Sequence, residues 1–393
     1  MPGPLDGYRV IDVTQMISGP VATMILGDQG ADVIKVEPPG RGDLTRMLGG
    51  GARAMSPIFA TSNRNKRGIV LDLKQERGVE ILKRLVADAD VFVQNFRPGA
   101  AERMGIGEEA LRAVNPELVY VSISGFGETG PYSQKRVYDP VIQALSGLAD
   151  IQGGSAGRPR MLRLIVPDKV TALTAAQAMT AALLAKERTG KGQHVRLAML
   201  DAVIHFLWPE GMARHTFIGP DIGLSRPTEV RDLVFETKDG FITAGAVSDA
   251  EWRGLCHALD RAEWLEDARF ETPAGRVKYA DVRLEMTAEV LATRTSAEWL
   301  AVLDEHQVPC APIVRREDLA ENVQVVANDL IVESESEHTG RMRQTRPPIR
   351  FEATPAEIRR PAPAMGEHTH ELLEELGFDE VARRALAEAG VLG

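Results

Sequence analysis

The sequence predicts an α/β chain: a large domain on a parallel sheet, with a smaller α+β domain set into it. Three observations predict this. Short apolar runs alternate with helical stretches through the first two hundred residues, the pattern of strands joined by crossover helices. That regularity fades after residue 218 and gives way to a hairpin followed by helices. At 393 residues the chain also exceeds a usual single domain, so two cores are expected.

Residues 8–14 (Tyr-Arg-Val-Ile-Asp-Val-Thr) read as a strand, 20–26 as a helix opened by Pro20, and 31–37 (Ala-Asp-Val-Ile-Lys-Val-Glu) as a second strand. The pattern repeats with a strand at 68–73, a helix at 75–87, a strand at 91–94, a helix at 108–114 and a strand at 118–123. Residues 160–166 read as a short apolar strand broken by Pro167, and 170–187 as a long alanine-rich helix. A strand at 193–198 and a helix at 200–208 follow. The stretch 219–232 is rich in Pro, Gly and charge and reads as a linker. Residues 233–237 and 241–244, joined by Lys238-Asp-Gly240, predict a hairpin, with helices at 250–259, 280–292 and 296–306. The expected domains are therefore 1–218, a linker at 219–232, a small α+β domain at 233–312, and a return at 313–393. That return is extended through its prolines and ends with a helix at 370–376.

Hydrophobic residues make up 44% and charged residues 26%, the balance of an ordinary soluble enzyme. A net charge of -10 spread along the chain argues against a nucleic-acid or anionic-membrane partner, and leaves room for a small anion met by local Arg and Lys. Cys256 and Cys310 are too few for a disulfide framework and have no metal-spaced partner, so a reducing cytoplasm is expected. The N-terminus has no signal-peptide pattern. No apolar run reaches the ~18 residues of a membrane span.

Gly125-Phe-Gly-Glu-Thr-Gly130 spells a dinucleotide-binding fingerprint, yet no helical pattern follows before Val141, and Gln15-Met-Ile-Ser-Gly-Pro20 lacks the glycines that a pyrophosphate needs. A nucleotide redox cofactor is not expected. His368 and His370 have no third ligand, and no metal site is expected.

The candidate nucleophile is Asp168, in Pro167-Asp168-Lys169 at the head of the long helix. Its position is that of an N-cap, for which Asp is a preferred residue. A helix N-terminus favours negative charge by about 0.3–1 kcal/mol, which lowers a carboxyl pKa by up to about 0.7 unit. A carboxylate there needs no general base, and on attacking a thioester it keeps the acyl group activated as an anhydride. Four loops at strand ends carry amides, aromatics and cations: Leu71 to Lys74, Asn95-Phe-Arg-Pro98, Arg103-Met104 and Arg136-Val-Tyr-Asp139. Singly they read as turns, caps and solvated charge. Together they fit adenine, phosphates and pantetheine laid along the carboxyl edge of a parallel sheet.

The chain resembles the class III CoA-transferases, the family of formyl-CoA transferase, the carnitine CoA-transferases and the 2-methylacyl-CoA racemases. The matching stretches run from end to end: Leu5-Asp-Gly7, Ser18-Gly-Pro20, Gly30 to Glu37, Asn65-Lys-Arg67, Asn95 to Gly99, Ser124-Gly-Phe-Gly127, Gly130-Pro-Tyr132, Arg188 to Gln193, Asp201-Ala202, Pro309-Cys-Ala-Pro312 and Gly366-Glu-His-Thr369. The resemblance implies a Rossmann-like large domain with a parallel sheet built from both chain ends, a small domain between them, and an interlocked homodimer. It also implies CoA and acyl-CoA as substrates, with Asp168 as nucleophile and Asp139 and Tyr138 as candidate helpers. The family's CoA contacts fall on Ile17, Leu71 to Lys74, Asn95, Phe96, Arg97, Arg103, Met104, Arg136 and Val137.

Two departures bear on substrate. Ile17 stands where formyl-CoA transferases carry a Gln, and Tyr138 stands where racemases carry a His before the acid. The sequence thus points to transfer of CoA between an acyl-CoA and a carboxylic acid. A 2-methylacyl-CoA racemase or other CoA-ester isomerase is the alternative, and a non-catalytic CoA-binding protein the more distant one.

Overall fold

The computed structural model describes residues 2–49, 55–153, 157–219 and 232–392. Most of the expected linker at 219–232 lies outside the described residues. The chain divides into two units, one of Met1–Gln152, Pro159–Ala213 and Asp329–Gly393, the other of Gly153–Arg158 and Arg214–Asn328.

The first unit carries strands β1 (Arg9–Asp12), β2 (Asp32–Glu37), β3 (Lys66–Val70), β4 (Val91–Gln94), β5 (Val119–Ser124) and β6 (His194–Ala198). They form one parallel sheet in the order β3-β2-β1-β4-β5-β6. Helices α1 (Ser18–Asp28), α2 (Glu76–Ala87), α3 (Glu108–Val114), α4 (Asp139–Leu145), α5 (Val166–Thr189) and α6 (Met199–Gly211) connect and cover it.

Strand side chains alternate between two buried faces. Val10, Val33, Val91, Val119 and Val121 pack under α1 and α5, where Ala172, Ala175, Ala176 and Ala182 let the helices approach closely. Ile11, Ile34, Phe92 and Tyr120 pack on the other face under α2 and α3, with Ile81, Leu82, Leu85 and Leu111. Among the described residues no helix is long and apolar enough to cross a membrane.

The second unit is a three-stranded antiparallel sheet, β7 (Val234–Glu236), β8 (Phe241–Ala244) and β9 (Cys310–Pro312), with α7 (Asp249–Ala258), α8 (Ala280–Leu291) and α9 (Ser296–Glu305). Its core holds Trp252, Leu255, Cys256, Phe270, Trp299 and Leu303. Full capping boxes, Ser248 with Glu251 and Thr295 with Glu298, start α7 and α9.

Three expectations are corrected. The sheet is not built from both chain ends: all six of its strands come from residues 9–198. The C-terminal part joins the same unit through α10 (Thr369–Glu375), whose Leu372 and Leu373 enter the core, and through backbone bonds such as His368 N to Gly68 O and Asp72 N to Val391 O. Prolines 361 and 363 cannot donate to a ladder, so this stretch lies along β3 without pairing as a strand. Next, residues 331–345 are not simply extended but form an antiparallel hairpin, β10 (Ile331–Ser336) with β11 (Gly340–Thr345). Finally, no strand forms at 160–166. Helix α5 begins at Val166 with Ile165 as N-cap, so Asp168 is the third helical residue rather than the cap. Pro167 at the second position lacks only an N–H that the first turn leaves unpaired, so it opens the helix instead of delaying it.

Candidate active site

Strands are added outward on one side of β1 and then, from β4, on the other, and the crevice outside the carboxyl ends of β1 and β4 is where such sheets bind ligands. The loop from β1 to α1 forms one wall, and nearly every peptide group in it is held by a side chain. Asn95, just past β4, accepts the Gln15 N–H at 3.0 Å and donates to the Gln15 carbonyl at 2.7 Å. Lys35 Nζ donates to the Thr14 carbonyl at 2.9 Å, and Asp43 Oδ1 accepts the Met16 N–H at 3.2 Å.

Lys35 and Asp43 are themselves ion-paired at 3.0 Å, both fully buried. These anchors hold Met16 at φ 70°, a left-handed conformation that a non-glycine residue adopts at a cost. Removing one partner of such a pair strands a buried charge. Lys35→Met is therefore expected to lower the unfolding free energy by about 3–5 kcal/mol in urea denaturation.

The loop delivers Ser18, the first residue of α1, to Asp168. The Ser18 hydroxyl and backbone N–H face the Asp168 carboxyl and favour its charged form. From behind, Asp139 Oδ2 accepts the Asp168 backbone N–H at 3.3 Å. Asp139 is 4% exposed and heads α4, where it was expected to serve as a local cap; its carboxylate serves α5 instead. Burial, and then the charge of Asp139, push the Asp168 carboxyl up to about 6, against the pull of the Ser18 donors. This reverses the expectation that the helix terminus would lower its pKa: desolvation and a neighbouring like charge exceed what the dipole supplies.

Asp168 opens into a cavity of about 390 Å³ lined by both chain walls, including Gln15, Met16, Ser18, Asn95, Phe96, Ile123, Val137, Tyr138 and Met199. Its other charged linings are Arg97, Lys135 and Arg136, so Asp168 is the one acid among three cations in a wall drawn from the described residues.

The sequence-derived candidates distribute as follows. Asn95, Phe96, Arg97, Arg136, Val137, Tyr138 and Asp168 share this cavity. Ile17 is buried between two of its lining residues, Met16 and Ser18. Arg103 lines an adjoining cavity of about 960 Å³ that shares Phe96, Pro98, Ile123 and Ser124 with the first. Met104 is half-buried against the α2 face of the core. Leu71 is wholly inside that core, while Lys74 is exposed beside it. Asp139 lies behind Asp168 and lines neither cavity.

Sequence reasoning did not single out Lys35, Asp43, Lys135, Gln143 or the role of Ser18. Lys35 carried a signal, as a cation in the middle of the apolar strand 31–37; the others depend on contacts far apart in the chain.

A parallel sheet with one carboxyl group set among cations at its switch point is the architecture of an α/β enzyme for anionic substrates. The chain belongs to CoA-transferase family III: the family model of that description matches residues 5–369. It is similar to the succinyl-CoA:glutarate CoA-transferase of Mus musculus, 35% identical over 395 residues covering 99% of this chain and 90% of that one. It is also similar to the formyl-CoA:oxalate CoA-transferase of Rhodopseudomonas palustris, 33% identical over 418 residues covering 99% and 97%. Among solved structures, a CAIB/BAIF family protein from Brucella suis matches with a TM-score of 0.81 and 32% identity, covering 96% of this chain and 100% of that one.

Proposed function

We propose that this protein moves CoA from an acyl-CoA to a carboxylic acid through covalent intermediates on Asp168. The observation that carries the reading is the Asp168 carboxyl group, held by Ser18 at the start of α1 in a cavity whose other charges are cationic.

Ionised Asp168 attacks the thioester carbonyl of the donor, giving an aspartyl-acyl anhydride and releasing CoA thiolate. The thiolate attacks the Asp168 carbonyl, forming aspartyl-CoA and freeing the donor acid. An acceptor carboxylate attacks that thioester, forms a new anhydride and releases thiolate, which then attacks the acceptor carbonyl. The new acyl-CoA leaves and the Asp168 carboxylate is regenerated. Each step is an acyl transfer, so no oxidant, metal or water enters the balance. Of the first turn of α1, Pro20 has no N–H and the Val21 N–H is bonded to the Ile17 carbonyl, so the N–H groups of Ser18 and Gly19 are the donors we assign to the oxyanions.

Glutarate and oxalate, in the names of the two relatives, are both dicarboxylic acids, and that is the acceptor class we assign here, with Lys135 or Arg136 within reach of the distal carboxylate. Transfer is favoured over α-carbon racemisation because Asp168 is the one acid among the described residues lining its own cavity, and Asp139 lies outside it, which leaves a two-base exchange short of a second acid beside the reacting carbon. Deuterium exchange at the α-carbon without an acceptor acid would overturn this choice.

Arg97 and Arg136 are assigned to the CoA phosphates with Lys74 and Arg103 further along, and Phe96 and Tyr138 to packing against the cofactor. A charge-assisted contact is worth about 1.5–3 kcal/mol, so Arg136→Ala is expected to raise KM for acyl-CoA by about 10- to 100-fold with little change in kcat. The effect should vanish with an acyl-pantetheine thioester, which has no phosphates; an equal loss on both donors would contradict the assignment.

We further assign a homodimer. Leu173 and Leu184 on α5 and Phe206 on α6 are each more than half exposed on two helices that pack together, an apolar area suited to a second copy. Free Cys256 and Cys310 fit a reducing compartment such as the cytoplasm.

A further inference from the structure

Residues 159–165 lead into α5 without forming a helix or strand; the Arg160 N–H bonds the Ala149 carbonyl, and the buried Gln143 side chain holds the stretch next to α5. Gln143, one turn beyond Asp139 on α4, is 2% exposed. Its Oε1 accepts the Leu162 N–H at 2.9 Å, and its Nε2 lies 3.4 Å from the carbonyls of Leu162 and Leu164. The same Nε2 donates to Asp139 Oδ1 at 2.6 Å. The amide has one orientation here. Leu162 N–H can only donate, so Oε1 must face it, and the NH₂ group is left for Asp139. Both Asp139 oxygens therefore accept, one from Gln143 and the other from the Asp168 N–H.

We propose that Gln143 is a positioning residue of this site: its amide holds the Asp139 carboxylate so that its charge bears on Asp168, and ties it to the segment leading into α5. The proposal rests on the reading of Asp168 as the nucleophile. With the Gln143 donor gone, the Asp139 carboxylate is free to turn from Asp168, and the like-charge repulsion on Asp168 falls.

The other groups about Asp168 remain in place. They are Ser18 of α1, Asn95 and Arg97 after β4, and Lys135, Arg136 and Tyr138 after β5. Among the described residues, Asp139 is the only acid whose charge bears on Asp168.

The test uses Gln143→Met, which keeps the side chain's length without the amide, and Gln143→Ala should the first variant not fold. The midpoint of the Asp168 carboxyl is read by ¹³C NMR of aspartate-labelled protein, with the resonance assigned by its loss in Asp168→Asn. The expected result is a fall in the midpoint of at least about half a pH unit, with kcat down about 10-fold and KM for acyl-CoA within about twofold. In an Asp139→Asn background the same substitution should produce no further shift, because the effect passes through Asp139. An unchanged midpoint, or a shift of full size in the Asp139→Asn background, would overturn the proposal. The titration reads the coupling whether or not Asp168 forms a covalent bond, so undiminished transfer by Asp168→Ala would sink the nucleophile reading alone.

Discussion

Asp168→Asn is expected to lower CoA transfer by at least about 10⁴-fold, the scale of losing a nucleophile, and at the same time to make the protein more stable near neutral pH. The second effect follows from the raised pKa. A carboxyl whose folded value lies near 6, above its ordinary 3.8, binds its proton more tightly in the native state. Its contribution to stability is full below about 3.8 and is lost as the pH rises through 6. At pH 7.5 the ionised group therefore costs stability. Discounted for its partial exposure, the cost is on the order of 1–2 kcal/mol, and the variant should melt about 2–4 °C higher. At pH 3.5 the two proteins should melt together. A thermal-shift series across pH checks this, and a variant less stable at pH 7.5 would show that the carboxyl is not strained there.

The second large effect concerns pH. Wild-type transfer should rise with pH through about 6 as Asp168 ionises, then level off. Asp139→Asn removes the like charge that adds to burial, so the midpoint should fall by about one unit while staying above the ordinary carboxyl value, since burial remains. Single-turnover rates of acyl-enzyme formation between pH 4.5 and 8 measure it. At pH 5 the variant should retain a larger fraction of its own plateau than wild type does. A midpoint that stays or rises would mean that Asp139 acts on Asp168 by something other than its charge.

The parallel sheet was legible because its strands are apolar runs with helices between, and β1, β2, β4, β5 and β6 form within a few residues of expectation. The hairpin of β10 and β11 was not, because Ile-Val-Glu-Ser-Glu-Ser and Gly-Arg-Met-Arg-Gln-Thr are polar and half-exposed and present no apolar run. Strand β9 is three residues, ends in a proline and gains its identity only by pairing with β8. The loops at the sheet's carboxyl edge could be read from Asn95 to Arg97 and Arg136 to Tyr138, since amides and cations at strand ends are a local signal. What surrounds Asp168 could not. Ser18 and Asp139 reach it from two other helices, and their balance with burial decides the sign of its pKa shift. A terminal helix position alone pointed to a lowered value; three-dimensional desolvation reversed it.

The central claim is that the acyl and CoA groups pass over Asp168. The direct measurement is to mix the protein with acyl-CoA, quench with hydroxylamine or borohydride during turnover, and map the modified peptide by mass spectrometry. The expected result is a hydroxamate, or the reduced alcohol, at Asp168, absent from Asp168→Asn. Modification at another residue, or undiminished transfer in Asp168→Ala, would contradict it.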